Sequence, residues 1–89
     1  MDEELIDEIC ITIEQFNKEN NVKINLLLSP TQKYKIIGLY GIKNEIEPLM
    51  QNLINYISSF NENIQKNTVI FESQNNPHKK EIIYLFNIK

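Results

Sequence analysis

The chain has 89 residues, a formal net charge of −3, a single cysteine, and no arginine, alanine or tryptophan. Its length points to one domain with a small core, and the lone Cys10 excludes an internal disulfide and suits a reducing cytosol. Lack of arginine argues against a dedicated nucleic-acid binder, and the acidic N-terminus and absence of any apolar run near the ~20 residues of a membrane span predict a cytoplasmic chain without leader or membrane contact. The abundance of Ile, Asn and Lys reads as AT-rich coding.

Residues 1–19 carry seven acids and one lysine, while 20–44 carry four lysines and no acid. Residues 2–20 predict an amphipathic helix. Asp2 can cap it, Glu3, Glu4 and Asp7 suit the positive helix end, and Ile6, Ile9, Ile13 and Phe16 form one stripe with Leu5 and Cys10 beside it. Asn20-Asn21 predicts the stop. Val22 to Ser29 alternates as a strand, Ser29-Pro30-Thr31-Gln32 turns, and Tyr34 to Ile42 returns as a second strand.

Asn44-Glu45-Ile46-Glu47 resembles a capping box, with Pro48 tolerated in the first turn. The stripe Leu49, Leu53, Ile57, Phe60, Ile64 predicts a helix to about residue 65. Thr68 to Gln74 and Glu81 to Ile88 predict strands around the turn Asn75-Asn76-Pro77-His78.

Residues 35–43 and 81–89 agree at five of nine positions, and Ile13-x-x-Phe16-Asn17 recurs as Ile57-x-x-Phe60-Asn61. This predicts a duplicated α-β-β unit, about 1–43 and 44–89, within one domain. The expected fold is α+β, with two helices on one face of a four-stranded antiparallel sheet. Strands 34–42 and 81–88 are near-continuous apolar runs that belong at the sheet centre. The order is then 1-2-4-3, a permuted ferredoxin-like layout. A pseudo-twofold axis would set the two turns, marked by Lys33 and Lys35 and by His78, Lys79 and Lys80, at opposite ends.

Two helices cover one sheet face, yet both faces of the central strands are apolar. Ile37, Leu39, Ile83 and Leu85 are assigned beneath the helices. Tyr34, Ile36, Tyr40, Ile42, Ile82, Tyr84, Phe86 and Ile88 are assigned to the open face. An uncovered patch of this kind marks an interaction site.

Ile37-Gly38-Leu39-Tyr40-Gly41 resembles the G-x-x-G loop of KH nucleic-acid-binding domains, with Lys33, Lys35 and Lys43 flanking it. The second copy replaces both glycines inside a strand, so the favoured reading is structural: Gly38 relieves crowding and Gly41 lets the strand exit toward the helix. Cys10 reads as a core thiol. His78 sits beside two lysines that disfavour its protonation, and nothing places it near Cys10. The acids of the first helix read as a solvated face, and no spacing indicates zinc, calcium or nucleotide.

These features predict a non-enzymatic protein with no metal or cofactor. It acts by protein–protein contact as an adaptor, inhibitor or chaperone, and pairs with itself or with an unknown protein. The predicted contact residues are Tyr34, Ile36, Tyr40, Ile82, Tyr84, Phe86 and Ile88. The second reading is weak nucleic-acid binding by Lys33, Lys35, Lys79 and Lys80 or by an aromatic sheet face.

Overall fold

A computed structural model describes residues 3–29, 36–60, 62, 64–73 and 80–88. In chain order it contains α1 (Glu3–Asn20), β1 (Asn25–Leu28), β2 (Ile36–Ile42), α2 (Lys43–Ser58), β3 (Ile64–Glu72) and β4 (Glu81–Ile88). The fold is α+β, and its antiparallel strands lie in the order β1-β2-β4-β3.

α1 buries the expected stripe: Leu5, Ile6, Ile9 and Ile13 are in the core, with Cys10 and Phe16 half-buried against it. The helix ends at Asn21, whose φ of 53° is left-handed. The Val22 N–H then donates back to the Asn17 carbonyl at 3.2 Å, closing the orphaned last turn. The Asn17 side-chain amide donates to the Ile24 carbonyl at 3.0 Å, and the Ile24 N–H donates to the Asn17 Oδ1 at 2.9 Å. This two-way clamp satisfies the Ile24 backbone from the helix. It explains why the strand expected from Val22 begins only at Asn25.

α2 starts differently from the capping-box expectation. Strand β2 runs straight into it, and the N-cap residue Ile42 offers no side-chain cap. The Lys43 N–H donates instead to the Lys80 carbonyl at 2.8 Å, so the sheet ladder serves as the cap. Lys43 places a cation at the positive helix end. Its ammonium lies 2.8 Å from Glu72 and 3.9 Å from Glu47, which offset that placement. With this start Pro48 lies beyond the first turn, and the Asn44 carbonyl, deprived of its donor, belongs to an exposed residue that water can serve.

The helix also stops earlier than the stripe implies. Ser58 Oγ donates to the Ile54 carbonyl at 2.7 Å and Ser59 Oγ to that of Tyr56 at 2.6 Å. The Ser59 and Phe60 N–H groups reach only three residues back, each at 3.1 Å, so the last turn tightens and closes. Ile64 had fitted the helical spacing. It instead opens β3 opposite Ile88, ahead of a register irregularity before Thr68.

Register decides the faces. Ile37 pairs with Phe86, Leu39 with Tyr84 and Gly41 with Ile82. Directly opposed residues share a face, and all of these are buried. The helix-side face is therefore Ile37, Leu39 and Gly41 on β2 with Ile82, Tyr84, Phe86 and Ile88 on β4. They join Ile46, Met50, Leu53 and Ile57 of α2 in one core. Matched residues of the sequence repeat fall on opposite faces: Ile37 and Leu39 point to the helices, Ile83 and Leu85 away from them. The repeated residues thus do not occupy equivalent places in the sheet. Both expected turns, with Lys33, Lys35, His78 and Lys79, lie outside the described residues.

Gly38 and Gly41 both sit in β2, neither with positive φ. A Cβ on Gly41 would lie 2.8 Å from the Lys23 backbone carbonyl and 3.2 Å from two Ile46 atoms. One on Gly38 would meet mainly the end of the Leu85 side chain at 3.0 Å and Leu27 Cβ at 3.3 Å. Backbone cannot yield as a side-chain tip can. Gly41→Ala is therefore expected to lose about 1–3 kcal/mol in urea unfolding and Gly38→Ala less, and an equal or reversed order would contradict this packing.

The Lys43 ammonium hydrogen-bonds Glu72 and holds its carboxyl below the usual range, while Lys43 itself is raised by the same bond. The Glu72 contribution is present above its unfolded pKa and lost as pH falls through the lowered folded value. The Lys43 contribution is lost only in strong alkali, through its raised value. Both groups reach solvent, so the effect is small. Urea midpoints of Glu72→Gln should fall slightly below those of the unmodified chain at neutral pH and converge with them in acid. A constant difference through the carboxylate range would reject the pair as its source.

Candidate functional site

Two transverse rows make up the centre of the sheet face that the helices leave open. One is Leu27–Gly38–Leu85–Val69, and the next is Asn25–Tyr40–Ile83–Phe71. No charged side chain occurs in either. Leu27, Val69 and Phe71 are about half exposed, at 44%, 57% and 55%, while Tyr40, Ile83 and Leu85 are half-buried among neighbours. Ile36 and Ile42 continue the surface along β2. Asn87 and Glu81, both exposed, bound it along β4. At one end Lys23, Asn25, Tyr40, Gly41, Ile42 and Glu81 line a shallow groove of about 280 Å³. The face is thus largely apolar at its centre, with Asn25, Glu81 and Asn87 at its margin.

The sequence expectation is half right here. On β2 the assignment holds, with Ile36 and Tyr40 on the open face and Ile37 and Leu39 beneath the helices. On β4 it is inverted. Ile82, Tyr84, Phe86 and Ile88 are each 6% exposed or less and belong to the core, while Ile83 and Leu85 face outward. The expectation put the aliphatic odd positions of both strands beneath the helices, whereas register pairs odd positions of β2 with even positions of β4. Tyr34 lies outside the described residues. Val69 and Phe71 were missed. Their signal was the alternation with Thr68, Ile70 and Glu72 on a strand that must pair with β4.

The aromatic sheet platform contracts accordingly. Tyr84 and Phe86 are buried, leaving Tyr40 and Phe71 in one row, two strands apart. The Tyr84 phenol is held above its usual range first by burial and then by the Glu47 carboxylate. Of the four lysines considered for nucleic acid, Lys80 is described and exposed, while Lys33, Lys35 and Lys79 fall outside the described residues.

A second concavity, also about 280 Å³, lies between the helices and is lined by Thr12, Gln15, Phe16, Glu19, Asn52 and Tyr56. The Tyr56 ring packs edge-on against Phe60 at 5.1 Å. Cys10 is half-buried, and burial first, then the charges of Asp7 and Glu14, push its thiol up. That environment keeps it protonated and weakly nucleophilic. Among the described residues no group of three His, Cys, Asp or Glu side chains could hold a metal ion, and no helix is long and apolar enough to cross a membrane.

No family model, curated protein or solved structure matches this chain. The functional reading therefore rests on the face itself.

The two sides of β4 make opposite predictions. Tyr84→Ala should cost about 3–5 kcal/mol, as truncation of a buried aromatic does. Leu85→Ser, on the open side, should cost far less. Thermal melts followed by circular dichroism separate the two, and a greater loss for Leu85→Ser would reverse the assigned faces.

Proposed function

We propose that this chain is a non-enzymatic, cytoplasmic protein–protein interaction protein that works as a homodimer, two copies packing open face to open face. The observation that carries the reading is the pair of uncharged transverse rows. Four strands spaced about 4.8 Å apart and averaging about seven residues give a flat footprint of roughly 450 Å². Doubled across two copies and increased by side-chain relief, this approaches the lower end of the roughly 1,200–2,000 Å² that stable interfaces bury. A flat sheet is also the natural cover for another flat sheet, since inner faces pack about 10 Å apart with their side chains interdigitated.

The strand order with both helices on one side is read as a permuted ferredoxin-like layout, which describes the architecture and carries no activity. Adaptor, inhibitor and chaperone roles all use such a surface. A small core also gains from association, because burying a second apolar face adds stability that 89 residues supply sparingly.

Leu85→Asp and Leu27→Asp place a carboxylate in the central row from β4 and from β1. Each is expected to abolish the face-to-face association step in sedimentation velocity, with the circular dichroism spectrum unchanged. An unmodified chain that sediments as a monomer at high micromolar concentration would refute the homodimer.

A further inference from the structure

The edge of β3 is a second uncovered surface, distinct from the open face. The Ser73 N–H donates to the Glu81 carbonyl at 2.8 Å. In an antiparallel ladder the inward-bonded positions alternate. Phe71 and Val69 therefore bond toward β4, and Thr68, Ile70 and Glu72 direct their N–H and C=O groups away from it. Among the described residues no strand lies beyond β3. The same stretch exposes three consecutive apolar side chains, Val69 at 57%, Ile70 at 52% and Phe71 at 55%. Val69 and Phe71 lie on the open face and Ile70 on the helix side. Edge strands are ordinarily protected by charge, proline, a bulge or shortness. Residues 68–71 contain no charge and no proline, and the irregularity precedes them.

We propose that this edge pairs with the same edge of a second copy, antiparallel about a two-fold axis at Ile70. The register is self-complementary. Ile70 meets Ile70 of the other copy, and Val69 meets Phe71 on both sides of the axis. Thr68 meets Glu72, so no like charges face each other. Each outward N–H and C=O of 68, 70 and 72 finds a partner, and the three apolar side chains are covered on both faces. Other registers that keep the ladder move an apolar residue off its apolar partner or carry the pairing beyond Glu72. The product is one continuous sheet with all helices on one side and the two open faces side by side. This contact is independent of face-to-face packing and can coexist with it.

Ile70→Pro tests the edge directly. The amide it removes points away from β4, so the internal ladder is kept. Sedimentation velocity compares it with the unmodified chain and with Leu85→Asp. The expected result is that Ile70→Pro loses one association step, which Leu85→Asp retains. An Ile70→Pro protein that assembles as the unmodified chain does overturns the edge contact and leaves the face reading standing. A Leu85→Asp protein that assembles unchanged overturns the face reading and leaves the edge contact standing. Amide exchange on the unmodified chain provides a readout that does not depend on the variant folding. The amides of Thr68, Ile70 and Glu72 are expected to slow as concentration rises, and exchange independent of concentration at these three overturns the proposal.

Discussion

The rest of the structure depends on how β2 sits against β4. These central strands set which side chains lie beneath the helices and which face away from them. A shift of one residue would exchange every β4 side chain between core and surface. Usually the hydrophobic pattern forbids such a slip, because it would bury polar groups. Here it does so only at the ends of β4, where Glu81 and Asn87 would turn inward; between them Ile82, Tyr84 and Phe86 alternate with Ile83 and Leu85. The register is held also by contacts at the strand ends. The Lys43 N–H bonds the Lys80 carbonyl at 2.8 Å, and the Lys43 ammonium bonds Glu72 at 2.8 Å. Gly41 adds a steric condition, because Ile46 and the Lys23 carbonyl close over its missing side chain.

This explains what could be read from the sequence. Helix α1 was legible because its stripe contrasts with an acidic surround, and its end because Asn21 accepts a left-handed backbone. The central place of β2 and β4 was legible from their unbroken apolar character. That same character hid their facing, since alternation carries information only when one side is polar. The end of α2 was hidden because Ile64 fits the helical spacing; two serine hydroxyls and a tightened last turn end the helix before that spacing runs out. For the candidate site, the existence of an apolar open face followed from simple coverage by two helices. Its membership did not follow, because sorting both strands by aliphatic and aromatic character gave β4 a facing that the strand pairing reverses.

The two uncovered surfaces differ in chemistry. The open face offers area without backbone groups, so it favours a partner of matching flatness and tolerates small shifts in position. The β3 edge offers directed hydrogen bonds with modest area, so it fixes register but contributes less burial. A copy joined at the edge would also enlarge the flat apolar face available to a further partner. Self-association of one kind would therefore change what the other surface presents.

The strand order has a consequence for how the chain reaches this state. The pairs β1–β2 and β3–β4 join strands that are neighbours in sequence, and each hairpin follows the helix that precedes it. The seam between β2 and β4 is the long-range one, closing even at its nearest pair, Ile42 with Glu81, over α2 and the whole of β3. Loop-closure entropy falls on that seam, and it is also where the apolar pattern discriminates least between registers. The slowest part of folding and the part most open to error therefore coincide in one strand pairing.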